Sequence, residues 1–210
     1  MFQLSSDPPQ TGDMGTLLGL QEYLKEHYHI SIFDRVLESR DDWVFHFYGE
    51  RIVRARVLKN FKYDLRLHID GENEEDHPKT DIKMLYPGDR LDAVRPLLKT
   101  DRKVRELGLA PIIPTRMRHH IKNKSLFPLM KERRVLFFTL LEGEVIKGLI
   151  TGFTRYEITV SLKGEIPVDI LRHAVYDLRD KKGRCLLKSF QEAHRDWEKS
   201  ELFVAEAGGD

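Results

Sequence analysis

The chain of 210 residues holds one cysteine, Cys185, which excludes an internal disulfide and a cysteine-built zinc cage. A lone thiol fits a reducing cytoplasm. No stretch approaches the about 18 apolar residues that a membrane span needs, so no transmembrane helix and no membrane partner are predicted. Met1 to Gly15 is polar and lacks the apolar centre of a secretory signal. A glycine-rich phosphate loop, a nucleophile elbow and an HExxH helix are all missing, and with them the commonest signatures of catalysis. The nine histidines form no ligand set. His119 and His120 are adjacent and point apart, and His27 and His29 share a face only in an extended chain. No enzyme activity, cofactor or metal is expected.

A strong net charge is also lacking, but the value of +1 conceals an asymmetry. Residues 1–100 carry 14 basic and 18 acidic residues, and residues 101–210 carry 21 and 16. Arg102–Arg134 has 10 basic residues against 2 acidic ones. A split of this kind points to one surface that meets a polyanion. With 40% hydrophobic and 33% charged residues the composition is that of a folded chain with a wet surface.

Leu17, Leu20, Leu24 and Tyr28 fall at helical spacing after a cap at Asp13 or Thr16. Ile32, Phe33, Val36 and Leu37 make a second, shorter helix. The period then changes to two. Strands are predicted at Trp43–Phe47, Ile52–Leu58, Asp64–Ile69 and Ile82–Tyr86, with Gly71 to Thr80 an acidic loop. Leu91–Leu107 reads as a helix stopped by Gly108, and Ser125–Arg134 as a short one. Strands return at Val135–Leu141, Val145–Thr151, Glu157–Leu162, Ile166–Leu171 and Ala174–Leu178. Gly148 sits inside a strand pattern, where a missing side chain permits a bend. Leu186, Leu187, Phe190, Ala193 and Trp197 predict a terminal amphipathic helix, with fraying from Glu198 onwards.

Val44–Gly71 and Leu136–Gly164 are versions of one pattern. Each has an aromatic strand, a Gly-Glu turn, a polar and aliphatic strand and a Phe. Each continues with Tyr63-Asp64-Leu65 or Tyr156-Glu157-Ile158 and closes on Gly71 or Gly164. The chain is read as two all-β domains of one family in tandem.

The second copy resembles the bacterial Sm-like (Lsm) proteins of the Hfq type over residues 125–180. The resemblance rests on Met130-Lys131-Glu132-Arg133-Arg134-Val135, Glu142-Gly143, Gly148, Phe153-Thr154-Arg155-Tyr156, Lys163-Gly164 and Leu171-Arg172-His173-Ala174. The first copy, residues 31–90, is similar through the second and is degenerate. The resemblance implies a mainly β fold with added helices: two small, bent, five-stranded antiparallel barrels in tandem, each preceded by a short helix. Residues 1–30 would form an N-terminal extension with a helix, 91–124 a helical and basic linker, and 181–210 a C-terminal helix and tail. It also implies six-membered rings, which a two-domain chain would build as a homotrimer.

The same resemblance implies single-stranded RNA as partner. Tyr156 takes the place of a base-stacking aromatic at the pore, and Arg172 and His173 that of the basic pair of the last loop. Lys131, Arg133 and Arg134 match a basic rim patch. In the first copy Tyr63 is retained and Lys83 stands in for the basic residue of the last loop. The chain departs from the family at Thr139, where the first strand has an aromatic, at Leu171, and at Lys122, near a helix glutamine. The acidic segment Glu72-Asn73-Glu74-Glu75-Asp76 opposes phosphate binding by the first copy. Two functions follow: an Hfq-like RNA-binding ring acting in post-transcriptional regulation, or an interaction scaffold that engages a protein through its acidic first domain.

Overall fold

A computed structural model describes residues 15–69, 73–118, 121–186 and 196–205. The chain begins with strand β1 (Gly15–Leu17) and helix α1 (Leu20–His27). A first unit follows, made of helix α2 (Ile32–Ser39) and strands β2 (Asp42–Phe47), β3 (Ile52–Asn60), β4 (Asp64–Ile69), β5 (Glu74–Pro78) and β6 (Ile82–Pro87). The connection holds α3 (Leu91–Val94), the short strand β7 (Lys99–Thr100) and α4 (Arg102–Arg105). The second unit repeats the first: helix α5 (Asn123–Lys131), then β8 (Val135–Leu140), β9 (Glu144–Phe153), β10 (Glu157–Ser161), β11 (Pro167–Leu171) and β12 (Val175–Asp180). Strand β13 (Phe203–Ala205) returns to pair with β1. No helix among the described residues is long and apolar enough to cross a membrane.

One antiparallel sheet holds both units, in the order β12-β8-β9-β10-β11-β6-β2-β3-β4-β5, with β7 paired to β9 off this path. Within each unit the last strand pairs with the first and the rest follow in chain order. The units meet where the fourth strand of the second pairs with the fifth strand of the first, Asp169 opposite Leu85 and Ile170 opposite Met84. The outermost strands of the sheet are therefore β12 and β5.

A β-bulge at Lys83, between the pairs Phe47–Ile82 and His46–Met84, breaks the simple alternation of side chains and lets β6 serve two cores. Ile82 and Leu85 face a core built on α2, with Ile32, Phe33, Val36, Phe45, Phe47, Leu65 and Leu67. Met84 and Tyr86 face the core of the second unit, with Leu126, Phe127, Phe138, Ile146, Ile158 and Ile170. Polar groups also cross the seam. The α2 amide of Ile32 donates to Glu157 Oε1 at 2.8 Å, and Arg35 approaches Asp169 Oδ1 at 3.4 Å.

Several elements differ from the sequence expectation. Leu91–Leu107 is not one helix: Arg95–Leu97 is a single 3₁₀ turn and Leu98 is extended. Pro96 lacks the N–H that would continue the helix, and Lys99–Thr100 is drawn into pairing with Val145 and Glu144. The acidic loop is in part strand β5, held by alternating contacts: Arg66 forks onto Asp76 at 2.8 Å, and Arg51 meets Glu75 at 2.7 Å. The first helix starts at Leu20 rather than Leu17, with Gly19 at its N-cap at φ 82°. Asp13, His119, His120 and most of the expected C-terminal helix, residues 187–195, lie outside the described residues. Trp197 lies in a 3₁₀ turn, and Phe203–Ala205 forms a strand where fraying was expected.

Candidate nucleic-acid interface

The turn between β3 and β4 and the turn between β9 and β10 occupy the same place in their units, and each exposes a tyrosine. Tyr63 is 69% and Tyr156 56% exposed. The preceding cation lies over each ring, Lys62 Nζ at 5.0 Å from the Tyr63 centroid and Arg155 Cζ at 5.5 Å from that of Tyr156. Each tyrosine carbonyl accepts a backbone bond from the turn that precedes its unit's last strand. Lys79 N–H reaches Tyr63 O at 2.9 Å, and Arg172 N–H reaches Tyr156 O at 2.8 Å. The repeat thus makes Lys79 the counterpart of Arg172. Spacing in the sequence did not single out Lys79, Lys62 or Arg155; the signal was there in the basic residue directly after β5 and directly before each tyrosine.

Lys83 is a correction. It is 1% exposed and ion-paired to Glu142 and Glu144 across the seam, so it offers no cation to a ligand. Lone in an apolar strand, it can only be buried with its partners. Tyr48 stands over the same group, 5.6 Å from Lys83 Nζ to its ring, and burial raises its phenol well above the usual range.

Arg172 and His173 differ from the open basic pair expected. Arg172 turns inward: Nη1 donates to Asn123 Oδ1 at 2.9 Å and to Ile121 O at 3.3 Å, and its plane is 5.4 Å from the Phe153 ring. Nε and Nη2 have no hydrogen-bond partner among the described residues, and burial pushes its pKa down to about 10. Helix α1 contributes to that burial, since Tyr23 bonds Phe153 through its hydroxyl and Arg155 N–H donates to Tyr28 O. His173 lies against the backbone of Thr80 and Ile82 in the first unit. Burial, with the Arg118 charge nearby, lowers its pKa to about 4, so the ring is neutral at pH 7.

The rim residues are more open. Lys131 is exposed with its ammonium over Phe127, and Arg133 is exposed at φ 48°. Arg134 is half-buried, 3.9 Å from Glu132 and 3.8 Å from Asp180. Arg133 and Arg134 line an open cleft of about 510 Å³ with Lys181, Lys182 and Arg184, and two carboxylates, Glu132 and Asp180, share it. Lys181, Lys182 and Arg184 were not foreseen, because they fall beyond the resemblance. Thr139 is 4% exposed inside β8, and Leu171 belongs to the α2 core. Among the described residues no group of three or more His, Cys, Asp or Glu could hold a metal ion.

No protein-family model, no curated protein and no solved structure matches the chain.

Proposed function

We propose that this chain is a cytoplasmic RNA-binding protein built from two Sm-like units, binding single-stranded RNA by stacking bases on Tyr63 and Tyr156. The observation that carries this reading is the twofold occurrence of one arrangement: an exposed tyrosine, a cation over its ring, and a carbonyl tied to the next basic turn. Stacking platforms flanked by cations are what an unpaired strand needs, since every base has a flat face and every linkage a negative charge. The cleft between Arg133–Arg134 and Lys181–Arg184 supplies a basic track for the backbone. The sheet order supports assembly into a ring of three chains, because β5 and β12 are the same two kinds of strand that pair at the seam. Post-transcriptional regulation is the role such a ring would serve.

Binding of labelled U-rich and A-rich oligonucleotides, measured by anisotropy across a salt series, tests the proposal. Affinity should fall steeply with salt. Tyr63→Ala and Tyr156→Ala should each cost about 1–3 kcal/mol, and Lys62→Ala or Arg155→Ala should lower the salt slope by about one. Absence of binding at low salt would overturn the reading and leave the scaffold function.

A further inference from the structure

The two outer edges of the sheet are not equally open. At the seam, β6 pairs with β11 through its third and fourth residues, Met84 and Leu85. Strand β12 has the same length and follows the same kind of 3₁₀ turn, so its third and fourth residues, Asp177 and Leu178, hold the equivalent positions. Leu178 is already engaged. After β12 the chain turns at Lys181–Gly183 and runs back along the outer edge as a short arm, Arg184–Leu186. Leu186 N–H donates to Leu178 O at 2.7 Å, Asp180 N–H donates to Arg184 O at 3.0 Å, and Arg179 bridges Cys185.

The arm is held at both ends. Asp180 Oδ1 accepts the amides of Lys182 at 2.9 Å and Arg184 at 3.0 Å, and Gly183 takes the positive φ of 77° that the turn requires. Leu186 is 6% exposed and packs in the second unit's core together with Trp197. No such arm covers β5 among the described residues, and its side chains Glu74, Asp76 and Pro78 are exposed. An unpaired strand edge accepts another strand unless something covers it.

We propose that the Arg184–Leu186 arm is an edge guard that keeps β12 from pairing with β5 of a second copy, so that ring closure waits on release of the arm. This inference rests on the ring reading above. It places the control of assembly in three residues of the chain itself: the strand that closes the ring is folded, but its hydrogen-bonding edge is taken.

The test is sedimentation and light scattering of the full chain and two variants, with hydrogen exchange at Leu186. Asp180→Ala removes the acceptor that folds the arm back and leaves the core untouched; Leu186→Pro removes the donor to Leu178. The full chain should run as one copy with the Leu186 amide protected. Asp180→Ala or Leu186→Pro should shift it to three copies, and adding Asp76→Pro on β5 should abolish that shift. A wild-type trimer that keeps its Leu186 amide protected overturns the guard and leaves the ring reading standing. A folded chain that stays single in every variant overturns both. RNA binding is judged separately, on the wild type and on Tyr63→Ala and Tyr156→Ala, because Asp180 and Arg184 line the basic cleft.

Discussion

Glu157 shows how one buried side chain ties the seam to pH. It is fully buried, one oxygen accepts the Ile32 amide, and the other has no hydrogen-bond partner among the described residues. Burial raises its pKa to about 7 from an ordinary 4.5. The folded state therefore holds a proton that the unfolded state releases, and the resulting stability is full below pH 4.5 and lost as pH rises through 7. His46 and His173 act oppositely, since burial lowers both to about 4, and their stability is present above 6.5 and lost as pH falls. Glu157→Gln isolates the first effect. Between pH 5 and pH 8 the wild type should lose up to about 3 kcal/mol relative to the variant in urea unfolding; parallel pH profiles would contradict it. None of this burial was legible in the sequence, where Glu157 reads as the acid after a turn tyrosine. Its environment comes from α2, more than a hundred positions earlier in the chain.

At the scale of elements, period-two alternation and the Gly-Glu turns made nine of the strands legible: β3, β4 and β9 alternate in burial, while β2, β6 and β11 are buried on both faces at the seam. Strand β5 was missed because its residues are acidic; what makes it a strand is its cross-strand partner set on β4. Arg172 was placed in the right turn but with the wrong exposure, since α1 lies over it through contacts remote in sequence. Gly148 was read as a point where the strand can bend, and the structure adds a separate reason for glycine there. A Cβ there would meet Val160 Cγ1 and come within 2.5 Å of Ser161 O. Gly148→Ala should therefore destabilise the protein by about 1–3 kcal/mol through overpacking, read as a lower denaturation midpoint. Gly49, with nothing within 4 Å, has no such neighbours, but its φ of 74° disfavours alanine by backbone conformation alone.

For the molecule as a whole, the seam joins the units more firmly than a linker would. Strands β2 and β6 contribute to both cores, Phe45 and Leu85 to one, Val44 and Met84 to the other. Heating should give a single cooperative transition rather than two, and calorimetry showing two separate peaks would contradict this. The Lys83 cluster is part of the same bond. Lys83→Met would leave Glu142 and Glu144 facing each other without a counter-charge, at a cost of about 3–5 kcal/mol. The triple variant Lys83→Met, Glu142→Gln, Glu144→Gln should recover most of that loss in the same unfolding assay. The uneven charge of the two halves of the chain also maps onto the sheet. The acidic excess of the first half sits largely on the outer strand β5, and the basic excess of the second half includes the turn and arm beside β12. Charge separates the two ends of one sheet rather than two independent domains.

The arm beside β12 also carries the chain's sole thiol. Cys185 is partly exposed and lies opposite Arg179 on the sheet edge. A thiol reagent added to the protein consequently reports on the arm: its reaction at Cys185 should be faster in Asp180→Ala, where the arm is released, than in the native chain.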